Sequence, residues 1–97
     1  MSIKILPSAI EDLYAGRLFY EKQGRELGEY FFDSLFSDID SLALFAGIHE
    51  KHFGHHRLLA KRFPYAIYYK TDTDVVVVRR VLDLRRHPDT IRNALKG

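Results

Sequence analysis

The chain has 97 residues, 46% of them hydrophobic and 13% aromatic, which predicts one domain with a single core and excludes a disordered chain. It contains no cysteine, so disulfides and thiolate metal sites are excluded. The net charge of +2 is unevenly distributed, because residues 1–50 hold 4 Lys/Arg and 9 Asp/Glu whereas residues 51–97 hold 11 and 4.

The N-terminal segment MSIKILPSAIEDL predicts a short strand followed by a helix. The run SIKIL has the alternation of a strand and ends before Pro7. Ser8 and Glu11 have the spacing of a capping box, so we expect the helix to begin there and to end near Gly24. One lysine, a short apolar run and then acids match neither a secretory signal nor a membrane span. We therefore expect a soluble cytoplasmic protein.

A second helix is predicted over residues 25–46, closed by Gly47. Because the connection at Gly24 is short, the two helices should fold back as an antiparallel hairpin. The apolar stripe of the second helix consists of Leu27, Phe31, Leu35, Ile39, Leu42 and Ala46. Four aromatic residues lie off this stripe: Tyr30, Phe32, Phe36 and Phe45. Either the first helix covers them, or they bind a partner chain.

The second half of the sequence predicts three strands and a short helix. The strands span residues 56–63, 65–71 and 74–85, and TDTD at 71–74 forms the last hairpin turn. Pro64 precedes the middle strand because proline cannot donate to a ladder. The segment DTIRNALK predicts a C-terminal helix with Ile91 and Leu95 on one side. The fold class is α+β, with the helix hairpin on one face of an antiparallel meander in a single domain, residues 1–97.

Strand alternation places several basic residues on one face of the sheet. Along the last strand the even positions are more apolar from Leu82 onward, so we assign them to the helix-covered core. The odd positions then bring Arg79, Asp83 and Arg85 to the open face, where Arg57 and Lys61 of the strand over residues 56–63 join them. Several long cations within reach of each other suit a phosphate backbone, and the basic second half agrees with an anionic partner.

Two alternatives to this basic site stay open. Arg79, Asp83 and Arg85 also match an ion-pair row that keeps the surface soluble. The acidic and basic halves of the chain also match two surfaces that neutralise each other.

Histidines occur in two places that suggest chemistry. His87 follows two arginines, which disfavour its charged form, so it is a candidate for proton transfer or alternatively a capping residue before Pro88. The tract HEKHFGHH at 49–56 has a metal-binding composition, but its spacing matches no standard ligand pattern. We therefore predict a solvated basic loop there, with no metal or cofactor.

The segments FPYAIYY and VLDLRRHP, in this order after a helix hairpin, resemble the RelE/ParE superfamily of bacterial type II toxin–antitoxin toxins, which includes plasmid stabilisation proteins. The resemblance spans nearly the entire chain. It implies a small cytoplasmic toxin whose cognate antitoxin wraps it with a C-terminal segment. It leaves open whether the protein is a homodimer or part of a toxin–antitoxin hetero-oligomer.

The superfamily contains two activities. ParE-like members poison DNA gyrase, whereas RelE-like members are ribosome-dependent endoribonucleases, or mRNA interferases. In a nuclease Arg85 or Arg86 would stabilise the charge on the phosphorane, and His87 would act as acid or base. RelE-like toxins commonly carry an arginine just after the tyrosine that opens the middle strand, where this sequence has Ala66. Many also carry a tyrosine near the C-terminus, which DTIRNALKG lacks.

These departures favour the ParE-like interpretation. Arg57, Lys61, Arg79 and Arg86 are then candidates for binding the target. An inactive homologue that only binds the antitoxin stays open as a third interpretation. A sequence-specific DNA-binding protein is disfavoured because no predicted helix has a basic recognition face.

Overall fold

The structure is a computed structural model that describes residues 1–96. Strand β1 (Ser2–Ile5) leads into helices α1 (Pro7–Glu21) and α2 (Leu27–Asp40) and a short helix α3 (Leu42–Phe45). Four strands follow: β2 (Lys51–His52), β3 (His55–Leu59), β4 (Tyr65–Asp72) and β5 (Val75–Asp83). Helix α4 (Pro88–Ala94) completes the described chain.

The five strands form one mixed sheet in the order β1-β5-β4-β3-β2. Strands β2 to β5 are antiparallel neighbours, whereas β1 pairs with β5 in parallel, with Ile3 opposite Val76. The parallel pairing follows from the long connection between these strands, which lets the chain return in the same direction. The expected α+β fold is confirmed, with β1 added at the edge of the meander.

Helices α1 and α2 pack together on one face of the sheet and bury the main core. The predicted stripe of the second helix faces this core, since Phe31, Leu35 and Leu42 are fully buried. The two helices approach closely at Gly16, where a Cβ would lie 2.5 Å from Cζ of Phe31. The helix hairpin on one face of the sheet is therefore confirmed.

The opposite face of the sheet is partly covered by α4. Ile91 and Leu95 pack there with Ala66, Tyr68 and Leu82 in a second buried cluster. The predicted pairing of Ile91 and Leu95 on one side of this helix is confirmed. The face that sequence alternation suggested to be open is therefore open only beyond α4.

A β-bulge reverses the alternation of β5. Tyr69 lies opposite Val78 but Tyr68 lies opposite Arg80, so Arg79 is an extra residue on β5. Val78 faces the helix hairpin as predicted. Beyond the bulge, Val81 belongs to the main core, and Leu82 belongs to the second cluster under α4. The predicted assignment of even positions to the helix-covered core is therefore correct up to Val78 and wrong after it.

Two details of the predicted helices are also wrong. Helix α1 begins at Pro7 after Leu6, and no side chain caps it. Ser8 instead donates its hydroxyl hydrogen to the Arg79 carbonyl of β5, at 2.9 Å. The second predicted helix is interrupted at Ser41, whose hydroxyl donates to the Asp38 carbonyl at 2.6 Å. A serine hydroxyl that bonds the backbone competes with regular helix geometry.

The histidine tract folds as a hairpin rather than as the predicted solvated loop. Strands β2 and β3 pair through Lys51–His56 and His52–His55, and the turn between them has positive φ at Phe53 and Gly54. Within residues 1–96 no helix is long and apolar enough to span a membrane.

Candidate functional site

The candidate catalytic arginine lies in an ion pair at the end of β5. Arg85 donates from Nε to Asp83 Oδ1 at 2.9 Å and from Nη2 to Asp83 Oδ2 at 2.7 Å. The hydrogen bonds from Arg85 hold the pKa of Asp83 below its ordinary value. Arg85 also lies against α1, with Nη2 3.4 Å from the Tyr20 hydroxyl and its guanidinium 5.9 Å from the Phe19 ring centre.

The Asp83–Arg85 pair bears on the two predicted arrangements of the strand end, a basic site on the open face or a row of ion pairs. Asp83 lies opposite Tyr65, whose side chain belongs to the core beneath the helix hairpin. The expectation that Asp83 and Arg85 lie on the open face is wrong, because the bulge turns the strand over before it reaches them. The predicted ion pairing of Asp83 with Arg85 is observed.

His87 is the N-cap of α4. Its Nδ1 accepts the backbone N–H of Asp89 at 3.0 Å, and the Asp89 carboxylate lies 3.8 Å from the same atom. The hydrogen bond assigns the neutral tautomer with the proton on Nε2. That tautomer exposes a donor to solvent and uses its lone pair for the cap, so His87 can act as a base only by giving up the cap.

Arg86 borders a cavity of about 280 Å³ between α1 and the end of β5. Tyr65, Asp83 and Gly16 also line this cavity. Burial, assisted by Asp83, raises the pKa of Tyr65 to about 12, so its hydroxyl stays protonated at neutral pH. The cavity therefore combines an exposed guanidinium with a neutral phenol and a carboxylate that is already paired.

A carboxylate of α1, Asp12, forms hydrogen bonds with the edge of β5 beside this cavity. Asp12 accepts from Arg80 Nε at 2.7 Å and Nη2 at 2.9 Å, and from the Val81 N–H at 2.9 Å. Strand β1 ends at Ile5, so it does not pair with this part of β5. Asp12 therefore accepts a hydrogen bond from a backbone N–H at the edge of β5 and also forms an ion pair with Arg80.

The other predicted phosphate-binding residues do not meet at one point. Arg57 lies opposite Tyr68 on the face that carries α4. Burial raises the pKa of Tyr68, and the neighbouring Arg57 opposes that effect. Lys61 lies beyond β3, where its N–H donates to Asp38 Oδ2 at 3.1 Å, so the prediction that it lies on a strand face with Arg57 is wrong.

Sequence reasoning missed the roles of two residues on the sheet face that carries α4, the buried His55 and the exposed Lys70. His55 is 3% exposed, and its Nδ1 lies 2.9 Å from the Phe53 carbonyl, while its Nε2 is buried without a hydrogen-bond partner among the described residues. Burial lowers the pKa of His55, and Lys70 and Arg79 lower it further. The alternation of the segment YAIYYKT would have placed Lys70 on the same face as Tyr68.

The four candidate partner-binding aromatic residues fall into different environments. Tyr14 of α1 stacks on Phe32 with ring centres 5.5 Å apart, and the Phe32 and Phe36 ring centres are 4.8 Å apart. Helix α1 therefore covers part of the aromatic surface that lies off the apolar stripe of α2. Tyr30 and Phe45 remain about half exposed, at 49% and 53%. The interpretation that these residues bind a partner chain stays a prediction.

No group of three or more His, Asp or Glu side chains is placed to hold a metal ion in the part of the chain that the structure describes. Two histidines of the hairpin, His55 and His56, instead bond to backbone carbonyls. His56 Nδ1 lies 2.7 Å from the His49 carbonyl, and His49 bonds the Tyr69 hydroxyl.

Comparison with known proteins adds evidence on the fold. No family model and no curated protein matches this chain. The chain is similar to a chain in a solved structure described as a chromosomal ParDE TA system from P. aeruginosa, with a TM-score of 0.78 and 20% identity. The similarity covers 87% of this chain and 96% of that chain. At this identity it establishes the fold, so the chain has the RelE/ParE-like fold that its middle strand and last-strand terminus predicted.

Proposed function

We propose that this protein is the toxin of a type II toxin–antitoxin module, with a ParE-like action on DNA gyrase. The observation that carries the proposal is the similarity to a chain of a ParDE TA system, which spans almost the full length of both chains. The basic second half of the sequence and the exposed apolar side chains on the helices support an anionic target complex and a protein partner.

The geometry at the end of β5 supports the ParE-like action over RNA cleavage. Ala66 stands where RelE-like toxins commonly have arginine, and it is fully buried against α4. His87 uses its lone pair for the cap of α4, and Arg85 is engaged by Asp83. A nuclease needs a free base and cations directed at the phosphorane, and these three positions do not supply them.

RNA cleavage is the second candidate because Arg86 borders a cavity beside the protonated Tyr65 hydroxyl. There a guanidinium would bind a phosphate while a phenol protonates the leaving oxygen. In this case Arg86, rather than Arg85 or His87, would carry the reaction.

In the proposed module the antitoxin would bind the exposed aromatic residues of the helices, with Tyr30 and Phe45 at the contact and the half-buried Phe32 and Phe36 beneath it. The module would act in the cytoplasm, where both gyrase and ribosomes are found. An inactive antitoxin-binding homologue would keep this contact and show neither activity.

The test uses purified protein free of antitoxin in two parallel assays, gyrase supercoiling and ribosome-dependent mRNA cleavage. Variants Arg85→Ala, Arg86→Ala and His87→Ala are compared with Lys22→Ala, an exposed residue at the end of α1. Circular dichroism on each variant separates loss of activity from loss of fold. We expect inhibited supercoiling, intact mRNA and no effect of Lys22→Ala.

Cleaved mRNA that depends on Arg86 would establish the second candidate and reject the gyrase proposal. A protein that affects neither assay yet binds an antitoxin would be the inactive homologue.

A further inference from the structure

The outer face of the helix hairpin carries a continuous apolar surface. Tyr14 of α1 stacks on Phe32 of α2 with ring centres 5.5 Å apart, and the Phe32 and Phe36 ring centres are 4.8 Å apart. Leu18 follows Tyr14 by one helical turn, and these two side chains are 59% and 56% exposed. The surface formed by these four side chains is called the hairpin patch below.

Carboxylates surround one end of the hairpin patch. Asp33 precedes Phe36 by three residues and Asp40 follows it by four, so both lie beside it on the surface of α2. Glu11 precedes Tyr14 by three residues, and this start of α1 lies beside the end of α2 because the two helices are antiparallel. All three carboxylates are exposed, and none forms a salt bridge within residues 1–96.

The cation that lies on the hairpin patch does not offset these charges. The Arg17 guanidinium lies 5.0 Å from the Phe32 ring centre, and its Nη2 donates to Glu29 Oε2 at 2.9 Å. Arg17 is therefore matched by its own carboxylate. The three other carboxylates give the hairpin patch a negative border.

This border selects among the possible occupants of the hairpin patch. A second copy of the chain that docked by the same face would add its own carboxylates to those already present, and like charges in one interface disfavour binding. Phosphate groups of a nucleic acid are disfavoured for the same reason. A partner with apolar side chains between cationic ones matches both the patch and its border.

We propose that the hairpin patch binds an amphipathic helix of a partner chain, with lysine or arginine flanking its apolar face. Tyr14 and Leu18 form one row of side chains four residues apart, and Phe32 and Phe36 form a second row with the same spacing. Such rows are the ridges against which another helix packs, and apolar side chains at i and i+4 are the usual anchors of a helix on an apolar surface. The inference rests on the proposed antitoxin contact, because it shares Phe32 and Phe36 with that contact, and it adds the chemistry of the segment bound there.

The test measures binding of two synthetic peptides to the full chain by fluorescence anisotropy. Each peptide has about 18 residues, long enough to form a helix, with leucine at helical spacing. One peptide carries lysine beside the leucines and the other carries glutamate at the same positions. The lysine peptide should bind about tenfold more tightly or better, and its binding should weaken as salt is raised.

The apolar part of the hairpin patch is tested by Leu18→Ser. This variant should weaken binding of the lysine peptide by about tenfold, because burial of one large apolar side chain is enough for such a change. The matched control is Leu59→Ser on β3, which makes the same change at a leucine that is 51% exposed and should bind within about twofold of the parent. Circular dichroism confirms that both variants are folded.

The negative border is tested by Asp33→Asn combined with Asp40→Asn. This double variant should weaken binding of the lysine peptide by about threefold or more and reduce its dependence on salt. The control is Asp72→Asn with Asp74→Asn, which changes the net charge equally at the exposed turn between β4 and β5 and should bind within about twofold of the parent.

Equal binding of the two peptides, or equal weakening in a variant and its matched control, would overturn the inference. The outcome is distinct from that of the proposed function, which is measured without a peptide. A protein that inhibits supercoiling but does not bind the lysine peptide rejects this inference alone. A protein that binds the lysine peptide through Leu18 but does not inhibit supercoiling supports this inference and rejects the gyrase action alone.

Discussion

At the scale of single residues, burial determines the chemistry of the histidines more than their order in the sequence does. His55 is buried on β3, and its Nε2 has no hydrogen-bond partner within residues 1–96, whereas His87 is exposed and caps a helix. The tract HEKHFGHH suggested a solvated loop because its spacing matches no standard ligand pattern, and only the structure revealed that one of its rings, His55, is buried. The composition of a short hairpin does not determine which of its side chains are buried.

The buried histidine predicts acid sensitivity. Burial lowers the pKa of His55 below its value in the unfolded chain, about 6.5. The stability contributed by neutral His55 is therefore complete above about pH 6.5 and is lost as the pH falls through the lower folded-state pKa. The melting temperature should fall between pH 7.5 and pH 5.0, and His55→Gln should reduce that fall.

Calorimetric scans at both pH values check this prediction, with a substitution of an exposed residue at the end of α1, Lys22→Gln, as the control. An equal fall in the parent and in His55→Gln would show that other groups carry the acid sensitivity, in the first place His49, whose pKa burial also lowers.

The close approach of the helices at Gly16 predicts a destabilising substitution. A Cβ there would lie 2.5 Å from the buried Phe31 ring, so Gly16→Ala should cost about 1–3 kcal/mol by overpacking. At Gly24 the nearest side-chain atom is 3.7 Å away, and Gly24→Ala should leave stability within about 0.5 kcal/mol. Urea unfolding of both variants measures the difference, and equal stabilities would contradict it.

At the scale of elements, the contact between α1 and β5 depends on one carboxylate. Asp12 binds both the Arg80 guanidinium and the Val81 N–H at a strand edge that β1 does not reach. The acidic first half of the sequence suggested only a general attraction to the basic half. The specific pair required the two elements to be placed side by side.

Removal of this carboxylate should destabilise the fold. Asp12→Ala leaves a partly buried guanidinium and a backbone donor without their acceptor, and should cost about 2–4 kcal/mol. Glu29→Ala breaks the exposed Arg17–Glu29 pair and should cost at most about 1 kcal/mol. Chemical denaturation compares the two, and a loss for Asp12→Ala no larger than for Glu29→Ala would refute the assigned role.

At the scale of the whole molecule, apolar side chains are exposed near α3, whereas those on the sheet face under α4 are buried. Leu44 and Ile48 are 83% and 73% exposed near α3, beside the half-exposed Phe45. The second cluster under α4 is buried, although sequence alternation assigned its sheet face to solvent. Exposed apolar groups of this kind favour association with another chain.

This surface predicts that polar substitutions improve solubility without loss of stability. The double variant Leu44→Ser with Ile48→Ser should change the free energy of unfolding by less than about 1 kcal/mol, because neither side chain is buried. It should also bind less of a hydrophobic dye and self-associate less in sedimentation experiments. A large loss of stability would mean that these side chains belong to the core.

The sequence by itself determined the elements whose signals are local. The stripe from Leu27 to Leu42 faces the core, Pro64 precedes β4, and Ile91 lies with Leu95 on the buried side of α4, since each pattern depends on neighbouring residues only. The tertiary structure decided the rest. Arg79 is an extra residue only in the pairing of β5 with β4. The sheet face of every later side chain on β5 therefore depends on the register between two strands, which the alternation of residues within one strand does not determine.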